Sequence, residues 1–174
     1  MKRAIQRATI LAATLLLAGV GMTTASAAKP GGVTEPSPNG VIEFGSDGPC
    51  TFPIRIEPLE DAVTVTTWPE KPNGDVVSVY SGHLIALVTN LDSGDTLRFD
   101  NSGALHAVFH ADGSLDVRYS APGLLWNFDG EPGRDGLWVL TRGSASESYD
   151  PDFNLIGQRL PGKGALLDLC TALG

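Results

Sequence analysis

The chain has 174 residues, a formal charge of -8 and a sequence pI near 4.7, with 18% charged and 42% hydrophobic residues. That length holds one domain and excludes a multidomain machine, and the acidic balance excludes a nucleic-acid partner, which demands a basic face. The 21 Gly and 12 Pro, about a fifth of the chain, point to a turn-rich all-β protein.

In chain order, Lys2, Arg3 and Arg7 precede an uncharged stretch from Ala8 to Met22, followed by Ala25-Ser26-Ala27. This is the pattern of a secretory signal peptide over residues 1–27. The apolar stretch is too short to span a bilayer, and no later window reaches the needed length, so no membrane span is expected in the mature protein. Cleavage after Ala27 removes three basic residues and no acid, moving the charge from -8 to -11. The expected product is secreted, acidic and soluble. Its two cysteines, Cys50 and Cys170, allow one pairing, and an oxidising destination makes that disulfide the default.

Residues 28–47 are rich in Pro and Gly and read as a flexible leader, with Val41–Phe44 as a candidate edge strand. The β domain then spans 48–174. Glycines at 74, 82, 94, 103, 113, 123, 136 and 143 recur about every ten residues, the spacing of short antiparallel strands. Thr51–Glu57, Ala62–Trp68, Asp75–Tyr80, Leu124–Phe128, Leu137–Arg142, Ala145–Tyr149 and Asn154–Leu160 are further strand candidates. Ala165–Leu173 reads equally as a short helix or a strand.

Thr96–Asp100, Ala104–His110 and Ser114–Ser120 alternate apolar and polar residues. Three-residue loops at Asp92–Gly94, Asn101–Gly103 and Ala111–Gly113 keep the apolar faces together. They pair Leu87 with Phe99, Phe99 with Leu105, Leu97 with Ala107, and Phe109 with Leu115. The expected fold is an all-β antiparallel meander forming a closed or partly open barrel, since closure removes edges. A two-sheet β-sandwich is the alternative.

That register places Arg98, His106 and Arg118 in one row on the polar face, with Asp100 and Asp116 diagonal to it. Guanidinium groups flanking an imidazole suit an anion or carboxylate; a solvated face with cross-strand charge pairs is the simpler reading. His110 is about 13 Å along the strand from His106, too far to share a metal ion, and His83 opens another strand. Neither metal nor cofactor is implied. The acidic loops at Asn127–Gly136 (Asp129, Glu131, Asp135) and Asp150–Asn154 (Asp150, Asp152, Asn154) read as turns. Ser81, Ser102 and Ser120 sit at turns outside any nucleophile motif. Trp68, Trp126 and Trp138 are a sugar platform or core anchors.

The pieces Cys50-Thr51-Phe52-Pro53-Ile54-Arg55-Ile56, Thr89-Asn90-Leu91-Asp92-Ser93-Gly94, Ala111-Asp112-Gly113-Ser114 and Leu167-Asp168-Leu169-Cys170 resemble a group of small secreted proteins of actinomycete-type bacteria. Its members share a signal peptide, a C-x-F-P start, a T-N-x-x-x-G turn and a closing Cys. The resemblance covers about residues 48–174 and lends no catalytic residue. The expected function is a non-catalytic binding module for a small molecule or a cell-envelope component. An extracellular hydrolase or cyclase using Asp, Glu and His, and a structural envelope protein, are the alternatives.

Overall fold

The computed structural model describes residues 31–174. The expected signal peptide lies outside the described residues. Fourteen strands follow: β1 (Val33–Pro36), β2 (Ile42–Phe44), β3 (Ile54–Asp61), β4 (Thr64–Thr67), β5 (Val76–Ser81), β6 (Leu84–Asn90) and β7 (Thr96–Asp100) make the first half. The second half holds β8 (Leu105–Phe109), β9 (Leu115–Ser120), β10 (Gly123–Asn127), β11 (Gly136–Leu140), β12 (Ser144–Tyr149), β13 (Leu155–Arg159) and β14 (Leu166–Asp168). A five-residue helix, α1 (Leu169–Leu173), follows. Residues 165–173 are thus the end of a 3-10 turn at Ala165, then strand, then helix. Asp168 ends the strand and caps the helix, its Oδ1 accepting the Thr171 amide at 3.0 Å.

The strands do not close into a barrel. They form three antiparallel sheets, ordered β1-β4-β5-β8-β9-β12-β13, β10-β11-β14 and β2-β3-β6-β7. The three-stranded sheet is the middle layer. Leu124, Leu137 and Val139 on one of its faces join Phe44, Ile54, Ile56, Val88 and Phe99 of the four-stranded sheet. Leu125, Trp138 and Leu140 on its other face pack with Ala145 and Tyr119 of the seven-stranded sheet. A strand covered on both sides need not alternate, so the runs GLLWN and GLWVL are almost continuously apolar. Outer-sheet strands such as β9 alternate buried and exposed residues along most of their length.

The expected four-strand meander breaks once. β7 pairs with β6 alone, whereas β8 lies between β5 and β9 in the other outer sheet. Asn101-Ser102-Gly103 is therefore a crossover between sheets and not a hairpin loop. A Cβ at Gly103 would collide with the carbonyl oxygens of Ser120 and Pro122, and the Gly103 amide bonds to the latter at 2.7 Å. The Asn101 side chain accepts the Leu124 amide at 2.6 Å, tying the crossover to the middle layer. The β6–β7 register also differs by one: Leu87 faces Arg98 and Ala86 faces Phe99. Here Asn90 bonds Asp95 around a four-residue loop, and its Oδ1 accepts the Asp92 and Ser93 amides. Its buried Nδ2 reaches the Leu173 carbonyl at 3.0 Å, docking α1. The Thr-Asn turn thereby anchors the helix.

The β8–β9 hairpin has the expected register, with Phe109 opposite Leu115, Ala107 opposite Val117 and Leu105 opposite Tyr119. Gly113, at φ +89°, supplies the left-handed position of its three-residue loop. Cys50 and Cys170 form the expected disulfide. Within the segment expected to be a flexible leader, the candidate edge strand appears as β2, the edge of the four-stranded sheet with Phe44 in the core, and β1 pairs with β4. Pro53 precedes β3, and Pro58 lies beside a bulge in it, where a missing amide does least damage to the ladder.

Candidate functional site

Residues paired across antiparallel strands project from the same face. On the outer face of the seven-stranded sheet the pairing runs Val79, His106, Arg118, Ser146, Arg159 across β5, β8, β9, β12 and β13. The neighbouring row is Val77, Val108, Asp116, Ser148 and Gly157. Over these rows lies a groove of about 660 Å³, whose walls include His106, Asp116, Arg118, Ser120, Ser146 and Ser148. Its size falls in the range of small-molecule sites.

Two acids touch this groove, and both are engaged. Asp116 Oδ1 accepts the Ser148 hydroxyl at 2.6 Å and Oδ2 meets His110 Nε2 at 3.1 Å. The other nitrogen of His110 meets Asp75 Oδ1 at 3.0 Å. With a carboxylate on each side, both ring nitrogens are placed to donate, an arrangement that favours the imidazolium. Asp116 and then Asp75 raise the His110 pKa. Asp116 is lowered by Ser148 and His110, and Asp75 by Asn73 and His110. The second acid, Glu147, turns inward. Its carboxylate is 3% exposed and accepts the Tyr119 and Tyr149 hydroxyls at 2.8 and 2.7 Å and the Gln158 amide at 3.0 Å. Burial, then the neighbouring carboxylate, push the Tyr119 phenol well above its ordinary value, so it stays a donor.

The row expected from the sequence is therefore split. His106 and Arg118 are opposite each other, whereas Arg98 belongs to the four-stranded sheet. There Arg98 Nη2 bonds Glu60 Oε1 at 2.7 Å, and His83 Nε2 bonds Glu60 Oε2 at 3.0 Å. Glu60 is lowered by His83 and then Arg98. His83 Nδ1 lies 3.5 Å from Ser102 Oγ, so Ser102, His83 and Glu60 follow in the order of a nucleophile relay. The hydroxyl is otherwise engaged, however: it donates to the Leu84 carbonyl at 3.3 Å and accepts the Leu84 amide at 2.9 Å. The nearby Ser102 and Gly103 amides bond Asp100 and Pro122, leaving neither to stabilise an oxyanion. This cluster latches the crossover to β6.

The remaining candidates disperse. Trp126 packs on Phe44, Trp138 is buried under Arg134 at 3.9 Å, and Trp68 is exposed, so the three share no platform. Glu131 accepts the Phe128 amide within its own loop, and Asp150 accepts the Asp152 and Asn154 amides and the Asn154 side chain. Among the described residues, no three His, Cys, Asp or Glu converge as a metal site, and no helix is long and apolar enough to cross a membrane. Arg159, Ser146 and Ser148 were missed in the sequence. The alternation in SASESY already puts its serines on one face, but the pairing of β12 with β13 has no local signal.

Comparison with known protein families, curated proteins and solved structures finds no match to this chain.

Proposed function

We propose that this is an exported, non-catalytic binding module that takes a small anionic ligand in the groove over β8, β9 and β12. One observation carries the reading. Among the described residues, Arg118 stands in that groove without a carboxylate partner, while the groove's acids are occupied by His110, Ser148 and the tyrosine hydroxyls. A guanidinium left open beside rows of hydroxyls is a preformed anion receptor, and charge-assisted hydrogen bonds are the strong ones. The resemblance to small secreted actinomycete-type proteins and the disulfide both fit an oxidising destination.

Native mass spectrometry of protein recovered from its own secretion medium tests this. The expected result is a retained small molecule, or a carboxylate adduct formed on addition, that is lost in Arg118→Ala. Equal adduct formation by wild type and Arg118→Ala would refute the site.

A further inference from the structure

The row on the outer face does not stop at the groove. Ser146 pairs with Arg118 on one side and with Arg159 on the other. Arg118 and Arg159 are therefore two strands apart on one face, about 9.5 Å between backbones at the usual inter-strand spacing. Both are exposed, and neither has an ion-pair partner among the described residues. A hydroxyl stands midway between two open guanidinium groups. We propose that this row is a two-point site for a small, hydroxyl-bearing dianion, with one carboxylate or phosphate on Arg118, the other on Arg159, and a hydroxyl of the ligand on Ser146. This rests on the reading of the groove given above.

Three features favour a small dianion over other anions. A monoanion would use one guanidinium and leave the second unmatched. A long polyanion would run past the row into a protein of net charge -8, where its further charges are repelled. A neutral sugar would leave both guanidinium charges unmatched, and of the three tryptophans only Trp68 is exposed. Serines continue on both sides of the row: Ser144 pairs with Ser120, and Ser148 with Asp116. The lining of the groove is thus built for hydroxyls around a charged axis.

The test uses the whole secreted chain and isothermal titration with linear dicarboxylates from succinate to dodecanedioate, beside the matching monocarboxylates. A two-point site gives an affinity maximum at an intermediate length. Arg159→Ala then reduces that best dicarboxylate to the affinity of its monocarboxylate, about ten-fold or more, the loss expected of one charge-assisted contact. Glucarate binds more tightly than adipate, which has the same carbon chain without hydroxyls, and Ser146→Ala removes the difference. Arg98→Ala, on the other outer sheet, binds as wild type does. Affinity that is indifferent to length, or an Arg159→Ala variant that matches wild type, overturns the two-point site. If dicarboxylate binding is lost in Arg118→Ala but is insensitive to Arg159→Ala, the groove stands and the second point falls. If no carboxylate binds at all, both fall. Urea unfolding of each variant, with an unchanged midpoint, separates lost contacts from lost fold.

Discussion

The exteriors of the two outer sheets carry similar residues and treat them differently. On the four-stranded sheet, Arg55 lies 3.6 Å from Glu43 and 3.2 Å from Glu57, and Arg98 and His83 share Glu60. Each arginine there has an acid, and the surface is a mosaic of paired charges. On the seven-stranded sheet, one histidine takes up two acids, and Arg118 and Arg159 are left over. Charge that is paired within the fold holds strands together modestly. Charge that the fold leaves unpaired is available to something else. The presence of arginine does not separate the two faces; the fate of the neighbouring carboxylates does.

The largest expected effect breaks the support behind the binding face. Glu147→Ala strands the Tyr119 hydroxyl and the Gln158 amide, and should lower urea-unfolding stability by about 3 kcal/mol. A variant of wild-type stability would mean that β12 is not held from behind. Next comes charge reversal in the groove. Arg118→Glu should abolish carboxylate binding, at least about 100-fold by titration, with little change in unfolding midpoint.

A pH series sharpens the role of the histidine. Asp75 and Asp116 face His110 directly, Asp112 lies nearby in the hairpin loop, and Lys71 stands behind Asp75. The His110 pKa is raised, so its stabilising contribution is complete below the ordinary 6.5 and is lost as pH rises through the raised value. Asp75 and Asp116 are lowered, so theirs is present above the ordinary 3.8 and is lost as pH falls through the lowered values. The clasp is complete between those limits. Above the upper one, Asp116 keeps the Ser148 hydroxyl but loses the opposing charge of His110 two residues from Arg118, and anion affinity should fall. In His110→Gln the upper limb of the affinity profile should flatten. The smallest effect is expected on the paired mosaic: Arg98→Ala should lower the thermal midpoint slightly and leave carboxylate affinity unchanged. Weakened binding in that variant would erase the distinction between the two faces.

What the sequence made legible follows the range of the interactions involved. The β8–β9 hairpin is encoded within fifteen residues, by alternation and by a three-residue loop ending in Gly113, so His106 and Arg118 could be placed opposite each other. The β7–β8 connection has the same outward grammar, with Gly103 ending Asn-Ser-Gly. Its glycine answers to a different demand, the close approach of carbonyls from residues 120 and 122. Only the folded chain brings those there, and Arg98 was misplaced as a result. Arg159 was invisible for a related reason: its neighbours are set by β12–β13 pairing, which contains a register shift at Ser148/Tyr149 that alternation does not reveal. The Asp75–His110 contact spans 35 positions, and the Glu60–Arg98 contact 38. Spacing along the chain carries no trace of either.

The doubly covered middle sheet has a consequence for handling the molecule. Because β10, β11 and β14 keep the two outer sheets apart, the quiet mosaic and the open arginines look in opposite directions. A label or a surface tether attached through the mosaic side, at Glu43 for example, would present every copy with its Arg118–Arg159 face toward the solvent. The protein is, in effect, a two-sided tile that comes with its own orientation.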